Sequence, residues 1–179
     1  MQKAGAPLQD SQTKERRHLM KTTLKFVAVT AAAVLLTAAS ASAQQISMVA
    51  NLSPGEETPA LLSGAVGTAE VGVDIANREL SVTLRVFNIP TATSAGHIHV
   101  GPRGVAGPVV LDFPNIPGRV GDFTLTFRLS QTALRPNPGI GINTMEDVIQ
   151  AIAGGNAYVN IHTTTFPAGE IRGQLTLVP

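Results

Sequence analysis

Residues 66–87, Val66-Gly67-Thr68-Ala69-Glu70-Val71-Gly72-Val73-Asp74-Ile75-Ala76-Asn77-Arg78-Glu79-Leu80-Ser81-Val82-Thr83-Leu84-Arg85-Val86-Phe87, decide the fold. Leu80, Val82, Leu84 and Val86 alternate with Ser81, Thr83 and Arg85, so an extended chain turns one face to a core and the other to water. The preceding segment carries the same period, and the short Ala76-Asn77-Arg78 connection predicts that the two strands form a hairpin.

The pattern continues outward in both directions. It predicts further strands at about 45–52, 96–100, 108–113, 122–129, 156–163 and 170–177, with Phe123, Leu125, Phe127 and Leu129 on the buried side of the 122–129 strand. One stretch departs from period two. Asn143 to Ile152 has a capping residue, acidic residues in its first turn, apolar positions at helical spacing and Gly154-Gly155 as a stop, which predicts one short helix. Pro/Gly-rich loops at 53–65, 101–108, 114–121 and 135–141 separate the strands. The expected fold is therefore all-β, an antiparallel sandwich or flattened Greek-key barrel of about eight strands with one short helix.

Ahead of this domain, residues 20–43 have the layout of a secretory signal peptide: Lys21 and Lys25, an apolar run from Phe26 to Leu36, then Ala41-Ser42-Ala43. The run is shorter than the roughly 20 residues a membrane-spanning helix requires, and the small-residue series offers cleavage after Ala43. Residues 1–19 read as a spurious N-terminal extension in front of Met20. The expected domain is 44–179, exported to the periplasm or the extracellular space, with no membrane span after cleavage.

Cleavage reverses the charge. The whole chain carries +1, but residues 44–179 keep seven Arg and no Lys against ten acidic residues, a net −3. That balance gives no footprint for nucleic acid. The chain has no cysteine, which excludes disulfides, thiolate metal sites, a cysteine nucleophile and a bacterial lipoprotein anchor.

Carboxylate and histidine remain as the side chains able to hold a catalytic metal, and the histidines are few. The three after residue 43 lie in Gly96-His97-Ile98-His99-Val100-Gly101 and Tyr158-Val159-Asn160-Ile161-His162-Thr163. On strands, His97 and His99 share one face, and Tyr158, Asn160 and His162 share one face. If the two strands are neighbours, three imidazoles converge as a copper or zinc ion would require. The same spacing also fits polar rings on a wet face, or rings bonded to backbone to fix loops. In Phe166-Pro167-Ala168-Gly169-Glu170-Ile171-Arg172-Gly173, a tight turn leads into the last strand, with Glu170 and Arg172 on one face. Glu170 fits a fourth ligand and Arg172 an anion contact; alternatively both belong, with Asn160, to a structural salt-bridge or hydrogen-bond set. Gly101-Pro102-Arg103-Gly104-Val105-Ala106-Gly107-Pro108 lacks the Lys-Ser/Thr ending of a phosphate loop and enters a strand. No nucleophile arrangement stands out, and no catalytic residue is assigned.

The blocks AGHIHVGPRGVAGPVVLDF at 95–113 and GNAYVNIHTTTFPAGEIRGQL at 155–175 resemble the two hallmark blocks of the CHRD domain, found repeated in chordin and singly in exported bacterial proteins. The resemblance implies an all-β, non-enzymatic binding or structural module of the cell envelope or extracellular space, whose partner is a protein or an envelope or matrix component. The Gly96-His97-Ile98-His99 stretch also resembles the copper-ligand strand of copper/zinc superoxide dismutases. That similarity implies copper ligation by His97 and His99, with His162 as a third ligand. The chain has neither the cysteine pair of the dismutase disulfide nor a His-rich, Asp-containing zinc loop. Two functions thus stand open, a binding module and a copper- or zinc-binding protein.

Overall fold

The computed structural model describes residues 45–178, so the expected extension at 1–19 and the signal peptide at 20–43 lie outside the described residues. The strands are β1 (Gln45–Leu52), β2 (Val66–Asp74), β3 (Glu79–Ile89), β4 (Thr93–Val100), β5 (Val109–Asp112), β6 (Gly121–Leu129), β7 (Ala157–Thr163), β8 (Ile171–Gln174) and β9 (Thr176–Leu177). They form two antiparallel sheets, one ordered β6-β3-β2-β1-β9 and the other β5-β4-β7-β8. The sheets do not close into a barrel, which resolves the two expected architectures toward the open one. β2 and β3 form the predicted hairpin, in register from Asp74 opposite Glu79 to Val66 opposite Phe87.

The core lies between the sheets. Leu80, Val82, Leu84 and Val86 of β3 are fully buried and meet Ile98, Val159, Ile161 and Ile171 of the other sheet within one hydrophobic cluster. Burying each such side chain contributes about 1.5–3 kcal/mol. The one α-helix among the described residues, α1 (Met145–Ala153), lies against β4, β7 and β9. It starts at a capping box in which Thr144 accepts from the Asp147 backbone while the Asp147 side chain accepts from the Thr144 backbone. It buries Met145, Val148, Ile149 and Ile152, the spacing of one helical stripe. No helix of the described residues is long and apolar enough to cross a membrane.

One expectation needs correction and two are sharpened. The strand read at 170–177 is two strands: it breaks at the buried Leu175, so that β8 pairs with β7 and β9 pairs with β1 in the other sheet. The sheets approach closely at this corner, where a Cβ on Gly173 would lie 2.3 Å from the Asn51 carbonyl oxygen. Phe123, Leu125 and Phe127 face inward but are only half-buried, because β6 is an edge strand. Finally, the polar face of β4 and β7 is not wet: every residue of β7 is buried, because loops fold over that side of the sheet.

Candidate metal centre

The antiparallel pairing of β4 with β7 places His99 opposite Tyr158, His97 opposite Asn160 and Ala95 opposite His162. Since side chains two apart share a face, His97, His99 and His162 fall together on the outer face of the four-stranded sheet. Their ring centroids are 4.8 to 5.8 Å apart. One nitrogen from each ring lies within 4.8 Å of the other two.

Each ring is oriented by a neighbour. His99 Nδ1 lies 2.9 Å from the Gly107 carbonyl oxygen and His162 Nδ1 lies 3.1 Å from the Pro167 carbonyl oxygen. A carbonyl only accepts, so both Nδ1 atoms carry the proton and both Nε2 atoms present lone pairs. His99 Nε2 is buried and has no hydrogen-bond partner. His162 Nε2 faces His97 Nδ1 at 3.0 Å. On its far side, His97 Nε2 faces Asp112 Oδ1 at 3.3 Å, and the second Asp112 oxygen accepts from Arg135 Nε at 2.5 Å. Carbonyl and carboxylate partners of this kind fix tautomer and ring orientation around metal sites.

Burial keeps these rings neutral. Loss of hydration pushes the imidazoles of His97 and His99 down to about 4, and neighbouring histidines push in the same direction. The Asp112 carboxylate opposes the shift at His97, and the Gly107 carbonyl opposes it at His99. His162 is also lowered by burial, against the Pro167 carbonyl. Neutral imidazole is the form that binds a metal.

The covering loops are local consequences of sequence. In the 101–108 loop, a Cβ on Gly107 would lie 1.8 Å from the Val100 carbonyl oxygen, so only glycine lets the chain fold back and aim its carbonyl at His99. The Gly107 N–H donates to the Tyr158 hydroxyl at 2.9 Å. In the 167–169 turn, Gly169 has φ +134° and sits against the Asn160 amide and Glu57.

Glu170 and Arg172 do not pair with each other. The buried Glu170 accepts from Ser63 at 2.5 Å and Thr163 at 2.6 Å, which occupies both carboxylate oxygens and leaves it outside the histidine group. The buried Arg172 donates to Thr58 and to the Pro102 carbonyl, each at 3.2 Å. Its guanidinium lies 3.4 Å over the Tyr158 ring, which stacks on His99 from the neighbouring strand at 4.8 Å. Arg172 therefore ties the 53–65 and 101–108 loops to β8 through hydrogen bonds. Asn160 is buried beside Glu57, whose pKa burial raises to about 7 against the opposing pull of Arg172 and the Asn160 amide.

Tyr158 was placed on this face by its spacing, but sequence reading missed Asp112, Gly107 and Glu57 as its partners. Asp112 had a usable signal, since it lies in the strand expected at 108–113, one short loop after the His97 strand. Gly107 and Glu57 had none, because where a loop lands is set by tertiary packing.

The arrangement offers three neutral nitrogen donors and no thiolate, a set suited to copper or zinc and poor for magnesium or calcium. Two nitrogens around a tetrahedral ion with bonds of about 2.0–2.1 Å stand about 3.3 Å apart. The His97–His162 separation of 3.0 Å fits that, and all three ligand atoms lie within 4.8 Å of one another. The family model of the CHRD domain matches residues 48–175. No curated protein and no solved structure shows a match to the chain.

Proposed function

Because the chain belongs to the CHRD domain family, its function has to be read from this chain's own side chains, and we propose that it is an exported protein that binds one copper or zinc ion through His97, His99 and His162. The observation that carries the reading is the unpartnered, buried Nε2 of His99, held toward two further imidazole nitrogens. A buried nitrogen without a partner costs about 1–3 kcal/mol, a cost that a bound cation removes. No nucleophile or general base is assigned.

The test is titration of the metal-free protein with copper and with zinc, beside the His97→Ala/His99→Ala/His162→Ala variant. One saturable equivalent is expected for the wild type, with three imidazole nitrogens resolved in the copper(II) paramagnetic resonance spectrum. Equal, weak binding by both proteins would sink the reading. Export rests on residues 20–43, and the N-terminal sequence of the secreted protein should begin at Gln44.

A second reading, a non-enzymatic module for a protein or an envelope or matrix partner, draws on Leu62 and Val105. They are exposed apolar residues on two of the loops that fold near the histidine face. Replacing both by Ser should then abolish retention of the protein in the envelope fraction while leaving metal titration unchanged.

A further inference from the structure

Sheet edges present unpaired backbone donors and acceptors, and proteins blunt them with short strands, covering segments, lysine or proline. Three of the four edges here are blunted. β9 is only two residues long. The free side of β5 is covered by a bridge from Leu134 to Leu111, and Arg135 N–H donates to the Val110 carbonyl at 2.8 Å. The free side of β8 is covered by Ser53, which exchanges both backbone hydrogen bonds with Arg172, at 3.0 and 3.2 Å. β6 is the exception. It runs for nine residues, contains neither proline nor lysine, and keeps an unbroken register with β3 from Phe123 to Leu129. Among the described residues nothing pairs with its outer side.

The strand also carries its own complement. Asp122, Thr124, Thr126 and Arg128 share the exposed face, with opposite charges at the two ends. An antiparallel copy related by a two-fold axis through Leu125 places Asp122 opposite Arg128, Thr124 opposite Thr126 and Leu125 opposite itself. Shifting the register by two residues in either direction loses both charge pairs, and an axis through Arg128 or through Asp122 would set that charge against itself. Opposite charges directly across a strand pair are favourable and like charges are not. The half-buried Phe123, Leu125 and Phe127 are the inward residues that such a copy would finish covering. Arg128 is free to turn, because its present contact with Glu79 is an exposed one at 3.3 Å.

From the single open edge and its self-complementary charges, we propose that β6 is the seam of a symmetric dimer of this chain, joining two five-stranded sheets into one of ten strands. Such an isologous contact closes on itself and does not propagate into a fibre. It does not depend on the histidine group, which lies on the other sheet.

Sedimentation equilibrium of the purified protein at about 1–100 µM should show a concentration-dependent monomer–dimer equilibrium. Asp122→Arg alone and Arg128→Asp alone should each weaken association by about tenfold or more, because each sets like charges against each other at both ends of the seam. The Asp122→Arg/Arg128→Asp protein should recover dimerisation, because it restores both pairs with the signs exchanged. Circular dichroism confirms folding of each variant at these exposed positions. A wild type that stays monomeric throughout, a single reversal that leaves association unchanged, or a double reversal that fails to recover it would each overturn the proposal.

Discussion

His97 Nδ1 lies 3.0 Å from His162 Nε2, and no neutral tautomer of His97 satisfies both of its nitrogens at once. The Pro167 carbonyl holds the His162 proton on Nδ1, so His162 Nε2 points a lone pair at His97. If His97 donates from Nδ1 to that lone pair, its own Nε2 lone pair faces the Asp112 carboxylate at 3.3 Å. If it donates to Asp112 instead, two lone pairs oppose each other at 3.0 Å. A cation between His97 and His162 relieves the second arrangement, in which Asp112 makes His97 a better donor.

Asp112→Ala should therefore weaken copper or zinc binding by about 10–100-fold, the usual effect of losing an orienting partner of a metal-bound histidine. Asp112→Asn keeps an acceptor oxygen toward His97 and should lose less. Competitive titration against a chelator of known affinity measures both, and an unchanged affinity in Asp112→Ala would remove Asp112 from the site.

Two titrations should shape stability in opposite directions. His97 and His99 sit at about 4 in the fold against 6.5 when unperturbed, so between these values the unfolded chain binds more protons and stability falls as pH falls. Glu57 runs the other way. Its carboxyl is raised from 4.5 to about 7, so the folded chain binds more protons in that window and stability is lost as pH rises through it. Urea unfolding of the metal-free protein from pH 4 to pH 8 should show Glu57→Gln gaining on the wild type as pH rises above about 5, while the triple histidine variant flattens the acid limb. If Glu57→Gln runs parallel to the wild type over the whole range, Glu57 does not titrate in this way.

The contrast between β3 and β6 shows what a period of two conveys. Both strands alternate cleanly, and both place their apolar residues inward, yet Leu84 is fully buried and Leu125 is half-buried. Alternation reports which face turns inward; it does not report whether another strand lies alongside. The histidines show the same division. Parity put His97 with His99 and Tyr158 with Asn160 and His162, and the β4–β7 pairing then brought the two sets together. The covering of that face depended on Gly107, Pro167 and Arg172 reaching across more than one loop, which no local pattern encodes. The break at Leu175 was equally silent, because alternation continues through a strand that changes sheets.

Arg172 is buried without an ion pair and acts through its fork and its flat face. Lysine at 172 retains the charge but cannot reach Thr58 and the Pro102 carbonyl together while stacking on Tyr158. Arg172→Lys should lower unfolding stability by about 1–3 kcal/mol, from the lost stack and a lost hydrogen bond. Chemical denaturation checks the loss, and hydrogen exchange should locate it in the loops at 53–65 and 101–108.

Gly107 links the fold to the three-histidine group most directly. A methyl group there would meet the Val100 carbonyl oxygen at 1.8 Å, an approach only backbone movement can relieve. That movement withdraws the carbonyl that holds the His99 proton on Nδ1 and the N–H that donates to Tyr158. Gly107→Ala should therefore destabilise the protein by about 2–4 kcal/mol, in the range of changes that force strain on a buried segment. It should also weaken metal binding, because a His99 ring freed to flip or change tautomer no longer presents Nε2 to the ion. A control separates the two effects: Gly104→Ala, in the same loop with φ +77° and no heavy atom near its Cβ position, costs backbone strain without moving Gly107. Calorimetric titration should show Gly104→Ala binding metal as tightly as the wild type and Gly107→Ala binding it at least about tenfold more weakly. Equal affinities in the two variants would mean that the Gly107 carbonyl does not orient His99.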